Sequence, residues 1–178
     1  MLGNMVLALV CSIAAAAEHR SVDEDAVKAA YVYNFAKFVD WPDELWSKST
    51  TVRVCATGAR NAFFHALTAL DPRLSIRGKE IEVRTISRAH EAAHCHLLVV
   101  TGSESVGEWL RHARTLPVLT VGDAEGFATV GGVIGLFVER GKVKFEINQD
   151  AALRAGIKLS SRLVKLARPV KDDSKDSR

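Results

Sequence analysis

The chain has 178 residues, with 24 Lys and Arg against 21 Asp and Glu and a formal charge of +3. The two signs are interspersed, so no basic stripe is present to hold a phosphate backbone, and nucleic-acid binding is not expected. Beyond the N-terminal segment, no apolar run approaches the roughly twenty residues that a membrane-spanning helix needs.

The first seventeen residues contain no charged side chain, and the run from Met5 to Ala17 ends in four alanines. Such a run is too short for an anchor but suits the core of a signal peptide with a small-residue cleavage site. Residues 1–17 are therefore expected to be a signal peptide cleaved near residues 15–17, with export to the periplasm. Lipidation at Cys11 is disfavoured, because Val10 stands where such sites want a small residue. Roughly 160 residues remain, enough for one domain with its own core. Residues 21–170 are expected to form that domain, and residues 171–178 a disordered charged tail.

Ser21 and Glu24 have capping-box spacing and start a helix near Val22. Val27, Tyr31, Phe35 and Phe38 recur at helical spacing and predict its apolar stripe, with Asn34 beside it. Trp41-Pro42 ends the helix. Proline disfavours the α conformation in the residue before it, so Trp41 is extended and its indole swings back towards the body. Asp43 to Thr50 reads as a polar link.

Thr51 to Ala56 then alternates as a strand, and Asn61 to Leu70 reads as a helix. Glu80 to Ile86 predicts an edge strand, and His96 to Val100 a strand buried on both faces. Ser105 to Arg114 reads as a helix with a Ser105–Glu108 capping box. Val118 to Val121 is a buried strand, from which Gly122-Asp123 leads into a short helix reaching Ala128. Gly132 to Val138 and Lys142 to Ile147 form a hairpin around Glu139-Arg140-Gly141. Asp150 caps a helix ending at Gly156, and a last helix starts at Ser160 or Ser161 and stops at Pro169.

Helices alternating with short apolar strands imply an α/β fold. The expected architecture is a single three-layer domain, its mostly parallel mixed sheet covered by helices on both faces, with a C-terminal antiparallel hairpin.

Signals for catalysis are weak. His94-Cys95-His96 invites a metal, but a strand would turn the two histidines to one face and Cys95 to the other. Gly131-Gly132-Val133-Ile134-Gly135 precedes a strand, whereas a phosphate-cradling loop precedes a helix; a bulge or a close approach of chains explains these glycines better. Ser103 and Ser105 lack the second glycine of a nucleophile elbow and read as helix caps. No enzyme, metal or cofactor is expected. Gly58, Gly102 and Gly122 each follow a strand, where open α/β sheets often place ligands, so a small-molecule-binding module is the alternative function. Lys144, Glu146 and Asn148 share one face of their strand, either as a solvated face or as a place to meet a partner. Cys55 and Cys95 remain after export, an even count that favours one disulfide in an oxidising compartment.

Seven segments in order carry a wider resemblance. They are Ala30 to Pro42 (Ala-Tyr-Val-Tyr-Asn-Phe-Ala-Lys-Phe-Val-Asp-Trp-Pro), Val52 to Cys55, Cys95 to Val100, Pro117 to Asp123, Gly131 to Ile134, Val143 to Asn148, and Gly156 to Ala167. Together they resemble the YfiR-like family of periplasmic regulators. The resemblance implies a non-catalytic protein that binds the sensor region of an inner-membrane diguanylate cyclase and holds it inactive. An outer-membrane-associated partner can sequester such a regulator, releasing cyclic-di-GMP synthesis and promoting biofilm formation. A homodimer is also compatible with the family. Cys55 and Cys95 match the family's redox-sensitive pair; a second pair found in some relatives is missing.

A protein-binding regulator needs an exposed apolar or aromatic patch, and hot spots favour Trp, Tyr and Arg. Trp41, Trp46 and Trp109, with Glu146 and Asn148, are the expected partner-binding residues, Trp46 foremost because it lies in the polar link. The Cys55–Cys95 bridge raises a geometric question. If their strands were adjacent, parallel and in register, the two residues would sit roughly 13 Å apart along the sheet. A disulfide needs Cα atoms within about 7 Å, so the strands must be offset or the chain must bend before Cys95.

Overall fold

The computed structural model describes residues 24–58, 61–102 and 105–171. The expected signal peptide, the Ser21 cap, Ser103 and the tail beyond residue 171 lie outside these residues.

Helix α1 covers residues 24–37 and runs into β1, Val39–Asp40. Its buried face is formed by Ala29, Val32, Phe35 and Ala36, while Val27 and Phe38 are exposed. The predicted stripe is thus rotated, because two alanines let the helix lie close to the sheet where bulkier side chains would hold it off. Phe35 and Tyr31 nevertheless reach Phe145, with ring centroids at 4.9 and 5.6 Å.

The polar link is largely a helix, α2, Asp43–Lys48, which buries no residue fully. Next come β2 (Thr51–Thr57), α3 (Ala62–Thr68), β3 (Ser75–Ile76) and β4 (Lys79–Ile86). A 3-10 turn over Ala89–His94 leads into β5, Leu97–Val100. Helix α4 (Val106–Ala113) and β6 (Leu119–Gly122) follow. The hairpin is β7 (Ile134–Glu139) and β8 (Lys142–Ile147), and Arg140 and Gly141 both have positive φ, as a two-residue turn of this twist requires. The chain ends with α5 (Gln149–Arg154), β9 (Lys158–Leu159), α6 (Ser161–Leu166) and β10 (Arg168–Pro169).

Eight strands form one sheet in the order β10-β8-β7-β6-β5-β2-β4-β3; β1 and β9 pair separately. Within the large sheet only β7–β8 and β3–β4 are antiparallel. The two-residue β3 covers part of β4, so β4 is not the outermost strand.

Period-two alternation divides the core. Val54, Ala56, Leu97, Val99, Leu119 and Val121 pack with α1, α3, α5 and α6, whereas Cys55, Leu98 and Val100 pack with α4 and the 3-10 turn. This is the expected three-layer α/β arrangement.

The segment after Gly122 forms turns instead of the expected helix. Phe127 folds back so tightly that a Cβ on Gly122 or Gly132 would come within 2.4 or 2.1 Å of its ring. Both glycines are there for a close approach. Lys28 of α1 ties this loop down, with Nζ 2.8 Å from both Asp123 and Glu24. Burial alone would lower the pKa of Lys28, but its hydrogen bonds to Asp123 and Glu24 outweigh that and raise it.

Candidate functional site

The N-terminal ends of β2 and β5 meet an aromatic cluster. Trp41 and Trp46 stack at 5.4 Å with their planes 7° apart, and both meet the His96 ring nearly at right angles. The Trp41 indole N–H donates to the His96 carbonyl at 3.3 Å. Trp-Pro therefore does turn the indole inwards. Arg77 and Lys79 lie over the Trp46 ring at 5.5 and 5.0 Å. Their cations are also anchored, Arg77 to the Val39 carbonyl and Asp40, and Lys79 to the Ser49 carbonyl.

His96 is 1% exposed. Its Nδ1 accepts the Arg53 backbone N–H at 3.1 Å, so the neutral ring carries its proton on Nε2. Burial, with the nearby cations of Arg53 and Lys79, lowers its pKa to about 4. Among the described residues, no group of three His, Cys, Asp or Glu converges as a metal site.

Cys55 and Cys95 form a disulfide with Cα atoms 5.9 Å apart. Cys55 is opposite Leu98 in the parallel β2–β5 pair, so the strands are close to the register that posed the difficulty. The chain resolves it by bending: the 3-10 turn ends at His94, and Cys95 rises towards Cys55 before β5 begins. The Arg53 guanidinium pins the bend by donating to the His94 carbonyl at 2.8 Å. Both cysteines are buried.

Glu146 and Asn148 lie inside the protein. Glu146 accepts from Arg168 Nε at 3.1 Å and packs over Gly135, where a Cβ would come within 3.0 Å of its side chain. Asn148 donates to the Ala128 carbonyl at 2.7 Å and accepts from Ala151 N–H at 2.9 Å, which makes it, and not Asp150, the cap of α5. Neither belongs to a solvated outer face, because the Arg168 side chain and the loop of Phe127 and Ala128 cover that side.

Trp109 is also buried, on α4. It lines a cleft of about 550 Å³ with Thr57, Gly58, Ser87, Thr101 and Ser105. The cleft opens at the C-terminal ends of β2 and β5. Here successive strands depart to opposite sides of β2, the position at which open α/β sheets bind ligands. Thr101 is tied to Thr57 by two hydrogen bonds that it donates, from its N–H to Oγ1 at 3.1 Å and from its hydroxyl to the carbonyl at 2.8 Å.

Of the five expected partner-binding residues, the structure brings Trp41 and Trp46 together and leaves only Trp46 partly exposed. Among the described residues, the large apolar side chains that face outward most fully are Leu153 of α5, 78% exposed, and Leu166 of α6, 76% exposed. Sequence reasoning passed over both. A signal was present: Ala151, Ala152 and Ala155 form the inner face of α5, so Leu153 falls on the outer one.

A family model described as YfiR/HmsC-like matches residues 25–168. No curated protein matches the chain. Among solved structures, a conserved domain protein from Vibrio cholerae superposes with a TM-score of 0.52 at 11% identity, covering 72% of this chain. This chain spans 57% of that protein, and the likeness shows the fold alone. The ABC domain from Streptococcus pneumoniae solved with L-Trp gives 0.45 at 12% identity, over 67% of this chain and 56% of the other. The chain belongs to the YfiR/HmsC-like family.

Proposed function

We propose that this YfiR/HmsC-like protein is a non-catalytic periplasmic repressor that binds the sensor region of an inner-membrane diguanylate cyclase and lowers cyclic-di-GMP synthesis. The observation that carries this reading is the family match, which spans the described domain from α1 to β10. The family points to a periplasmic regulator of cyclic-di-GMP signalling; the cyclase sensor as partner, and repression as the outcome, are the proposal's own. Export by the N-terminal segment and capture by an outer-membrane-associated protein belong to the same reading. Among the described residues, no helix is long and apolar enough to cross a membrane.

Repression is a linkage: the protein can hold the cyclase inactive only by binding that state more tightly than the active one. Leu153 and Leu166 supply the exposed apolar surface such a contact uses, and the partly exposed edge of Trp46 adds to it. Co-purification with a periplasmic cyclase sensor domain tests the proposal. The wild-type chain should retain the sensor, and Leu153→Asp with Leu166→Asp should release it while leaving thermal unfolding unchanged. Retention of the sensor by the doubly substituted chain would remove the two leucines from the contact.

The cleft beside Trp109 supports the second reading, a small-molecule-binding module. A thermal-shift screen against nucleotides, amino acids and anions separates the two, since a ligand specific to the folded state raises the melting temperature by mass action.

A further inference from the structure

The geometry points to the open edge of β8 as a docking site for an extended acidic segment of another protein, which would add to the sheet as a further strand. The inference does not depend on which protein the regulator proposed above binds.

β7 pairs with β8 along its whole length, from Ile134↔Ile147 to Glu139↔Lys142. On the other side β10 pairs only with Glu146 and Ile147, because the chain before it is turned into α6. Among the described residues, Lys142 to Phe145 thus have a ladder partner on one side alone. Val143 has its carbonyl turned outward, met by the Tyr31 hydroxyl at 3.5 Å, the outer limit of a hydrogen bond. An unpaired strand edge is a template for another strand.

A groove of about 950 Å³ runs beside this edge, between α1 and the hairpin. Val27, Tyr31, Val138 and Val143 give it an apolar lining, and Val27 and Val138 are 43% and 47% exposed. Its charges are unequally engaged. Glu24 shares Lys28 with Asp123 and so keeps part of its charge, and Lys144 is paired with Glu139. Arg140 and Lys142, both exposed, have no acidic partner among the described residues. The groove's lining thus sets the two cations of Arg140 and Lys142 against the single carboxylate of Glu24, and its balance is positive.

That sign selects the occupant. A second copy of this chain pairing edge to edge would set lysine against lysine. Lys142 faces Lys144 if the two-fold falls on Val143, and Lys144 faces itself if it falls on Lys144; directly opposed like charges destabilise a strand pair. A segment alternating apolar and acidic residues meets Val27 and Val138 with one set and Arg140 and Lys142 with the other, while its main chain bonds to β8. Edge lysines also serve simply to repel unwanted strands, so the test must separate a docking site from a blocked edge.

The probe is a short peptide alternating valine and glutamate, titrated into the mature chain with fluorescence anisotropy as readout. Its controls are the same peptide with lysine for glutamate and one N-methylated at alternate backbone amides. The glutamate peptide should bind, and both controls should bind at least roughly tenfold more weakly. Arg140→Asn with Lys142→Gln should weaken binding by a similar factor; asparagine suits the positive φ at 140, so the turn is kept. Arg140→Glu with Lys142→Glu should reverse the preference and favour the lysine peptide, an outcome that partial unfolding cannot produce. No binding of the glutamate peptide would overturn the proposal and mark a blocked edge. Equal binding of the N-methylated peptide would also overturn it, since that requires charge attraction without strand pairing.

Discussion

The Cα atoms of Cys55 and Cys95 lie 5.9 Å apart, although the residue beside Cys55 in the sheet is Leu98, three positions further along. The bend after the 3-10 turn makes this possible, and the disulfide then fastens β2 to the entry of β5 across a separation of 40 residues.

Closing a loop of that length is worth roughly 3–4 kcal/mol in the chain-entropy model. Cys55→Ser and Cys95→Ser should each lower the free energy of unfolding by about that amount, and the double substitution should add little. Denaturant titration checks this. Thiol labelling of the native protein should leave Cys55 and Cys95 unmodified, and labelling of both would contradict the bridge.

His96 should make the protein acid-sensitive. Its folded pKa is lowered to about 4 from the ordinary 6.5, so the unfolded chain takes up the proton first as pH falls. The stability associated with the neutral ring is complete above pH 6.5 and is lost progressively between 6.5 and 4. The shift corresponds to roughly 3 kcal/mol at the acid end. Unfolding free energies at several pH values, compared with His96→Phe, would show this slope disappearing in the variant. An identical slope in both proteins would assign it to other groups.

Phe127 and Gly132 should be coupled. Gly132→Ala places a methyl inside the ring's space and should cost about 1–3 kcal/mol. Phe127→Ala should cost about 3–5 kcal/mol, but with the ring gone Gly132→Ala should become nearly neutral. A double-mutant cycle by denaturant unfolding measures the coupling, and simple additivity would mean that the ring does not depend on the glycine.

Asn148→Ala should destabilise by about 2 kcal/mol, since it removes the cap of α5 and the shorter of the two hydrogen bonds to the Ala128 carbonyl, leaving only the one from Gly131 N–H at 3.3 Å. Asn148→Asp keeps the acceptor and loses the donor, so chemical denaturation of both variants apportions the two bonds.

The layer order and most strands were legible because alternation and continuous apolar runs report burial directly, as in Leu97–Val100. The turn at Trp41 was legible because proline restricts its neighbour. Misses came where small or polar residues carry the structure. Ala29 and Ala36 set the inner face of α1, and a reading weighted by bulk chose Val27 and Phe38. Helix α2 is short and polar, and its evidence is tertiary: Trp46 stacks on Trp41. Asn148 and Asp150 are both good caps, and only the position of the Ala128 carbonyl decides between them. Leu153 stands opposite Ala151, Ala152 and Ala155 on α5, a pattern present in the sequence, whereas the exposure of Leu166 emerged only with the fold.

The most direct test of the repressor account is the cyclic-di-GMP level in cells. Deleting the gene for this chain should raise it, and the wild-type chain supplied from a plasmid should restore it. The Leu153→Asp, Leu166→Asp chain, exported at equal level, should fail to restore it. An unchanged cyclic-di-GMP level on deletion would contradict the proposed repression.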